Sequence, residues 1–216
     1  FKICSGRGRD ALRQLLGSDI QGVLSSDRGG AYKIVDLAWR QLCWAHRKRD
    51  FQKWVDWGGE AEAIGRAGLE GVKKVFALWR DFREGVLDRL GLQAALGPVC
   101  IELHEALEAG LSCPVPKAAR FCRNLLEVYP AVWTFARVEG VEPTNNRAER
   151  TLRPAVLWRK ISFGNHSEAG CRFAERILTT VQTLRLQKRH VLAYLREALI
   201  AHRTGQPAPT LVTTGV

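Results

Sequence analysis

No run of apolar residues in this sequence approaches the roughly 18 needed to cross a bilayer, which excludes a membrane-spanning helix. None of the six cysteines (Cys4, Cys43, Cys100, Cys113, Cys122, Cys171) forms a C-x-x-C pair. Their irregular spacing gives no disulfide framework, so reduced thiols are expected. The opening FKICSGRGRD is too poor in apolar residues for a secretory signal. Methionine is absent altogether, position 1 included, and the chain opens inside what reads as the end of a strand, Phe1–Ser5. An N-terminal truncation is therefore expected.

What is present is an ordinary globular composition with an extraordinary charge. With 46% hydrophobic and 25% charged residues, 216 residues suffice for one sizeable core, and wholesale disorder is excluded. Lys and Arg number 33 against 22 acids, giving +11 and a pI near 9.8. Such an excess points to a polyanionic partner, nucleic acid first and an anionic membrane surface second. The charge is also segregated. Arg47, Lys48, Arg49 and Lys53 surround one acid, Asp50; Arg147, Arg150, Arg153, Arg159 and Lys160 surround one acid, Glu149. A third basic segment spans residues 171–203.

Periodicity divides the chain. Arg9–Leu16 has helical spacing and stops at Gly17. Gly22–Asp27 (GVLSSD) reads as a buried strand tip, Tyr32–Ala38 as a helix and Arg40–Ala45 as a second strand, which together predict an α/β core with parallel strands. Phe51 to about Arg137 is helical throughout, with Leu69, Val72, Val75, Phe76, Trp79, Phe82 and Val86 on one face. Beyond it come a helix carrying Glu149, a short Ile161–Gly164 segment, and apolar stripes Phe173/Ile177/Val181/Leu184 and Val191/Tyr194/Leu195/Ala198/Leu199. A Pro- and Thr-rich tail from Thr204 is expected to be loose. The domain reading is thus residues 1–50 and 141–203 as two parts of one core, residues 51–140 as a helical insertion, and residues 204–216 as tail.

Two acids stand out. Asp27 ends a strand, where α/β folds display functional side chains, but Asp before Arg28-Gly-Gly also forms turns. Glu149 closes Asn146-Arg-Ala-Glu149, a capping-box pattern, and also has Arg153 four residues on. A third role needs a second carboxylate, so that the two hold a divalent cation while the arginines hold phosphate. Cys43-Trp-Ala-His46 has two ligand types for zinc but no second pair at zinc spacing, and a structural role is the alternative. Trp79 and Trp133 fit apolar stripes; Trp158, beside Arg159-Lys160, is open to either core burial or DNA contact.

The run NNRAERTLRP, followed by WRKISFGNHSEAG, resembles the C-terminal signature of insertion sequence 66 family transposases, and GVLSSDRGGAY and RQLCWAHRKRDF resemble that family's upstream blocks in the same order. The resemblance implies a DDE transposase with a ribonuclease H-like core. Three acids would hold two Mg2+ or Mn2+ ions for phosphodiester cleavage and strand transfer. Asp27 matches the second acid and Glu149 the third. The first belongs to a strand expected before Phe1, and neither Asp10 nor Asp19 replaces it, so this chain by itself is expected to be catalytically inactive. Thr144 stands where many relatives carry an acid before Asn145 and Asn146; these asparagines and His46 are expected as neighbours of the site. Arg147, Arg150, Arg153, Arg159 and Lys160, extended by Arg47, Lys48 and Arg49, are expected to hold DNA backbone. The implied partners are transposon-end and target DNA and further copies of the chain, in the bacterial cytoplasm, with no membrane. The alternative is a DNA-binding transposase remnant without catalysis; a basic helical adaptor in which Glu149 merely caps a helix is a third reading.

Overall fold

The computed structural model describes residues 1–17 and 20–212; Ser18, Asp19 and residues 213–216 lie outside them. Two units are distinguished: Leu16–Arg147, and Phe1–Leu15 together with Ala148–Val216.

The first helix is α1 (Arg9–Leu16), as its spacing predicts, followed by strand β1 (Leu24–Ser26). The predicted helix over Tyr32–Ala38 is instead two 3₁₀ turns, Gly30–Ile34 and Leu37–Trp39. Val35 between them is extended, and Asp36 caps the second turn by accepting from Ala38 N–H at 2.8 Å, so the backbone never completes an α-turn. This connection returns the chain to β2 (Arg40–Leu42), which pairs parallel with β1, Leu24 opposite Arg40 and Ser26 opposite Leu42. The strand predicted to reach Ala45 stops three residues short. His46 and Arg47 N–H both turn back to the Cys43 carbonyl and open α2 (Trp44–Trp57).

Helices then follow without a strand: α3 (Glu62–Arg83), α4 (Arg89–Ala109), α5 (Pro116–Leu126) and α6 (Thr134–Arg137). Asp88 caps α4 by accepting from Gly91 N–H at 2.7 Å, and Pro116 occupies the first turn of α5. Of the apolar face read in α3, Val72 and Val75 are buried and Leu69, Phe76, Trp79 and Phe82 pack partly against them. Val86 lies past the helix end and is exposed. Trp79 and Trp133 belong to the core, Trp133 meeting Trp44 edge to face at 5.1 Å.

Among the described residues the larger unit's sheet has two strands, and residues 129–137 satisfy polar groups of β2 and of Trp44 just beyond it. Gln41, fully buried, donates to the Val132 carbonyl at 3.1 Å and accepts from Phe135 N–H at 2.6 Å. Trp44 Nε1 donates to that same carbonyl at 2.9 Å, and the Thr134 hydroxyl donates to the Arg40 carbonyl at 2.6 Å. Every such buried group would otherwise cost about 1–3 kcal/mol. The α/β class therefore holds in a reduced form, a small parallel sheet in a largely helical unit.

The smaller unit contains most of α7 (Asn146–Ile161), with α8 (Glu168–Leu186) and α9 (Val191–Arg203). Phe1–Ser5, read as a strand end, forms no strand: the Ile3 N–H donates to Glu175 Oε1 at 2.5 Å and Arg172 donates to the Ile3 carbonyl at 3.1 Å. Side chains of α8 thus occupy the positions a neighbouring strand would fill. In α8 the buried apolar residues are Ala174, Leu178 and Leu184; Phe173 and Leu199, placed in the predicted stripes, are exposed. The tail is held as far as Leu211, Arg189 donating to the carbonyls of Thr210 and Leu211 and Tyr194 to that of Pro209. Loose structure was expected there because the composition carries no sign of these long-range acceptors.

Glu175 gives the smaller unit a defined acid response. The Ile3 amide, then Arg172 and Lys2, hold its carboxyl below the usual range against the opposing effect of burial. A depressed folded value means that the contribution is complete above the ordinary carboxylate range and is lost as pH falls through the folded value. Melting curves taken from neutral to acid pH should show Glu175→Gln losing less of its stability on acidification than the wild type; equal acid losses would remove the assignment.

Candidate functional site

Asp27 directly follows β1, so the strand sets its backbone at the C-terminal edge of the sheet. One carboxylate oxygen, Oδ1, accepts from Gly29 N–H at 2.7 Å, the turn contact expected of Asp before glycine. A side chain at Gly29 would meet that oxygen at 2.9 Å. Among the described residues the other oxygen, Oδ2, accepts no hydrogen bond. The turn role and a ligand role therefore use different oxygens.

Around Asp27 the larger unit gathers cations. Arg40, only 1% exposed, reaches the Asp27 carbonyl with Nη2 at 3.4 Å. Burial lowers its guanidinium below the ordinary range, and Asp27 and Tyr32 draw it partly back. Burial, followed by the Asp27 charge, raises the Tyr32 hydroxyl. Arg47 is 2% exposed, with Nη2 at 3.0 Å from Asp50 Oδ2, and burial pushes it down to about 10 despite that partner. Arg47 was expected on the DNA-facing surface, and this is corrected: its place on α2 turns it inward onto Asp50. Lys48 and Arg49, beside it, are exposed.

A third segment meets the same end of the sheet. The Cys43 N–H, just past β2, donates to the Ser26 carbonyl at 2.9 Å, and Trp44 N–H donates to the Pro143 carbonyl at 2.9 Å. Asn145 N–H then donates to Cys43 Sγ at 3.4 Å. Residues 26–27, 43–44 and 143–145 thus converge within the larger unit, although about a hundred residues separate the second from the third. The Asn145 side-chain oxygen is buried there without a hydrogen-bond partner among the described residues. Asn146 opens α7 and Arg147 follows, both exposed.

Glu149 lies in the first turn of α7, one of the residues of that helix counted with the smaller unit. The same unit carries Arg150, Arg153, Arg159 and Lys160. Arg153, Arg159 and Lys160 are exposed, as cations that meet a polyanion must be. Trp158 is partly buried and meets Phe173 edge-on at 6.4 Å. His166 is exposed between α7 and α8.

The sequence reading missed Arg28, Arg40 and Tyr32 and treated Asp50 only as an offset to its basic neighbours. Arg28 adjoins Asp27, which is a signal of a sort. Arg40 and Tyr32 gave none, because only the parallel pairing brings residue 40 level with the tip of β1.

Residues 1–173 match the family described as Transposase IS66 family. The chain belongs to the IS66 transposase family. It is 25% identical over 226 residues to the uncharacterized protein y4qI of Sinorhizobium fredii (strain NBRC 101917 / NGR234), covering 96% of this chain and 41% of that protein. The chain thus spans well under half the length of this relative. No solved structure matches it. All six cysteines are free thiols, and burial raises that of Cys122 to about 11, which marks it as inert. Among the described residues no helix is long and apolar enough to cross a membrane.

Proposed function

We propose that this chain carries part of the catalytic core of a DDE transposase, a ribonuclease H-like core interrupted by the helices between about residues 51 and 140. Residues 1–50 and 141–203 make up that core in this reading. The observation that carries it is the convergence at the sheet end. Pro143 and Asn145 are hydrogen-bonded to Trp44 and Cys43, so the segment that leads up to Asn146 returns, within the larger unit, to the sheet edge where Asp27 stands. A strand-tip acid at an edge to which a late segment of the chain returns is compatible with a shared-metal design.

The donor chemistry fits a hard divalent cation. Asp27 offers Oδ2, and Asn145 offers a buried oxygen without a partner; both are hard ligands of the kind Mg2+ and Mn2+ take. Asp27 and Glu149 would hold the ions, with Asn145, Asn146 and His46 as neighbours. When bound, two such ions stabilise the attacking and leaving oxygens of phosphodiester cleavage and strand transfer. The chain's own cations do the rest. Arg147, Arg150, Arg153, Arg159 and Lys160, with Lys48 and Arg49, neutralise and position the backbone of transposon-end and target DNA. Acting on two DNA ends suits more than one copy of the chain, in the cytoplasm of its host. A Mn2+ titration of the chain tests the metal reading. Binding should weaken at least about tenfold in Asp27→Asn, and an unchanged isotherm in that variant would refute the assignment.

A further inference from the structure

A cavity of about 260 Å³ opens in the larger unit, lined by Arg28, Lys33, Arg40, Asn124, Glu127 and Val128. Three cations face one acid there. Lys33 Nζ stands 3.8 Å from Glu127 Oε2, with both side chains more than half exposed, so that contact is weak. Arg40 is nearly fully buried, yet among the described residues its Nε has no hydrogen-bond partner and its Nη2 reaches the Asp27 carbonyl at a long 3.4 Å. Its guanidinium also lies 5.9 Å from the Tyr32 ring. Arg28 stands over the Phe121 ring at 4.7 Å, with Nε 3.4 Å from Asp50 Oδ2 in a geometry that makes no hydrogen bond. Asp50 is already shared with Arg47.

Among the described residues no carboxylate stands within salt-bridge distance of the buried Arg40 guanidinium, although the Asp27 charge still acts on it. Burying a charge is costly unless it is paired and hydrogen-bonded, and a guanidinium's natural complement is an oxyanion that takes two N–H donors. We propose that this cavity is a phosphate site that seats a backbone phosphodiester of a DNA strand, with Arg40 and Lys33 as its cations, Asn124 as a neutral donor and Arg28 closing one wall. The phosphate site stands on the cavity itself. Its assignment to DNA rests on the transposase reading, and on the net +11 of the chain.

The test uses the whole chain in EDTA, so that it runs independently of any metal site. Fluorescence anisotropy with labelled single-stranded and duplex oligonucleotides is measured for wild type, Lys33→Gln and Arg28→Gln across a salt series. Lys33→Gln, at a half-exposed position, should weaken DNA binding several-fold and reduce the slope of log affinity against log salt by about 0.9. Inorganic phosphate, compared with chloride at equal ionic strength, should raise the thermal midpoint of the wild type. That rise should vanish in Arg40→Gln, with circular dichroism reporting its fold. If Arg40→Gln fails to fold, Lys33→Gln and Arg28→Gln decide alone. Unchanged affinity and slope in both overturn the proposal, as does a chain that binds neither DNA nor phosphate. Stabilisation by phosphate with DNA binding indifferent to Lys33 makes this a small-anion site and overturns the DNA assignment.

Discussion

In a longer form of the protein that supplies the first acid, Glu149→Ala should reduce Mg2+-dependent cleavage of transposon-end DNA at least about a hundredfold, because a direct metal ligand matters more than the outer-shell groups whose loss already costs 10–100-fold. DNA affinity in EDTA should fall by no more than about twofold, since removing an acid from a basic surface does not weaken its hold on a polyanion. The competing roles make different predictions. As a cap or first-turn acid, Glu149 would contribute about 0.5–1 kcal/mol to helix stability and nothing to metal dependence. Glu149→Gln separates them, for it keeps the shape and a hydrogen-bonding head but loses the carboxylate. Cleavage lost in Glu149→Gln with the melting curve nearly unmoved supports the metal role. Full Mg2+-dependent cleavage in either variant refutes it and leaves the DNA-binding remnant as the better description.

The second large effect concerns α2 and α3, which approach closely where α3 carries Gly65 and Gly68. A methyl group at Gly65 would meet the Val55 amide nitrogen at 2.6 Å and the Phe51 carbonyl at 2.8 Å, both backbone atoms that cannot swing aside. At Gly68 it would overlap the ring of Phe51, which is fully buried and has nowhere to go. Overpacking of this kind costs about 1–3 kcal/mol and sometimes more, so Gly65→Ala and Gly68→Ala should each lower the denaturation midpoint markedly. Gly71 is the control. Its added methyl would sit 3.9 Å from Leu103, ordinary contact distance, so Gly71→Ala should stabilise by up to about 1 kcal/mol through helix propensity. Urea denaturation of the three variants tests the contrast; equal responses would mean that close helix approach is not what the first two glycines provide.

Local readings succeeded where local energetics decide. The α1 boundaries, the strand ahead of Asp27 and the helical run beyond Phe51 follow from side-chain period and from punctuation by Gly and Pro. They failed where a partner distant in sequence decides. Phe1–Ser5 alternates like a strand, but its backbone is bonded by Glu175 and Arg172 instead. The predicted strand past Leu42 gives way to a helix whose first amide is taken by the Pro143 carbonyl. Arg47 reads as surface charge until Asp50 and the packing of α2 turn it inward.

The sequence by itself determined the family, the basic character and the candidate acids Asp27 and Glu149, because ordered blocks and charge segregation need no coordinates to be seen. Only the tertiary structure decided which cations are buried, that one oxygen of Asp27 is taken by a turn while the other is not, and that residues 143–145 return to the end of the sheet. Period and composition describe a chain one turn at a time. Desolvation of a guanidinium and the pairing of segments a hundred residues apart depend on neighbours that folding alone supplies.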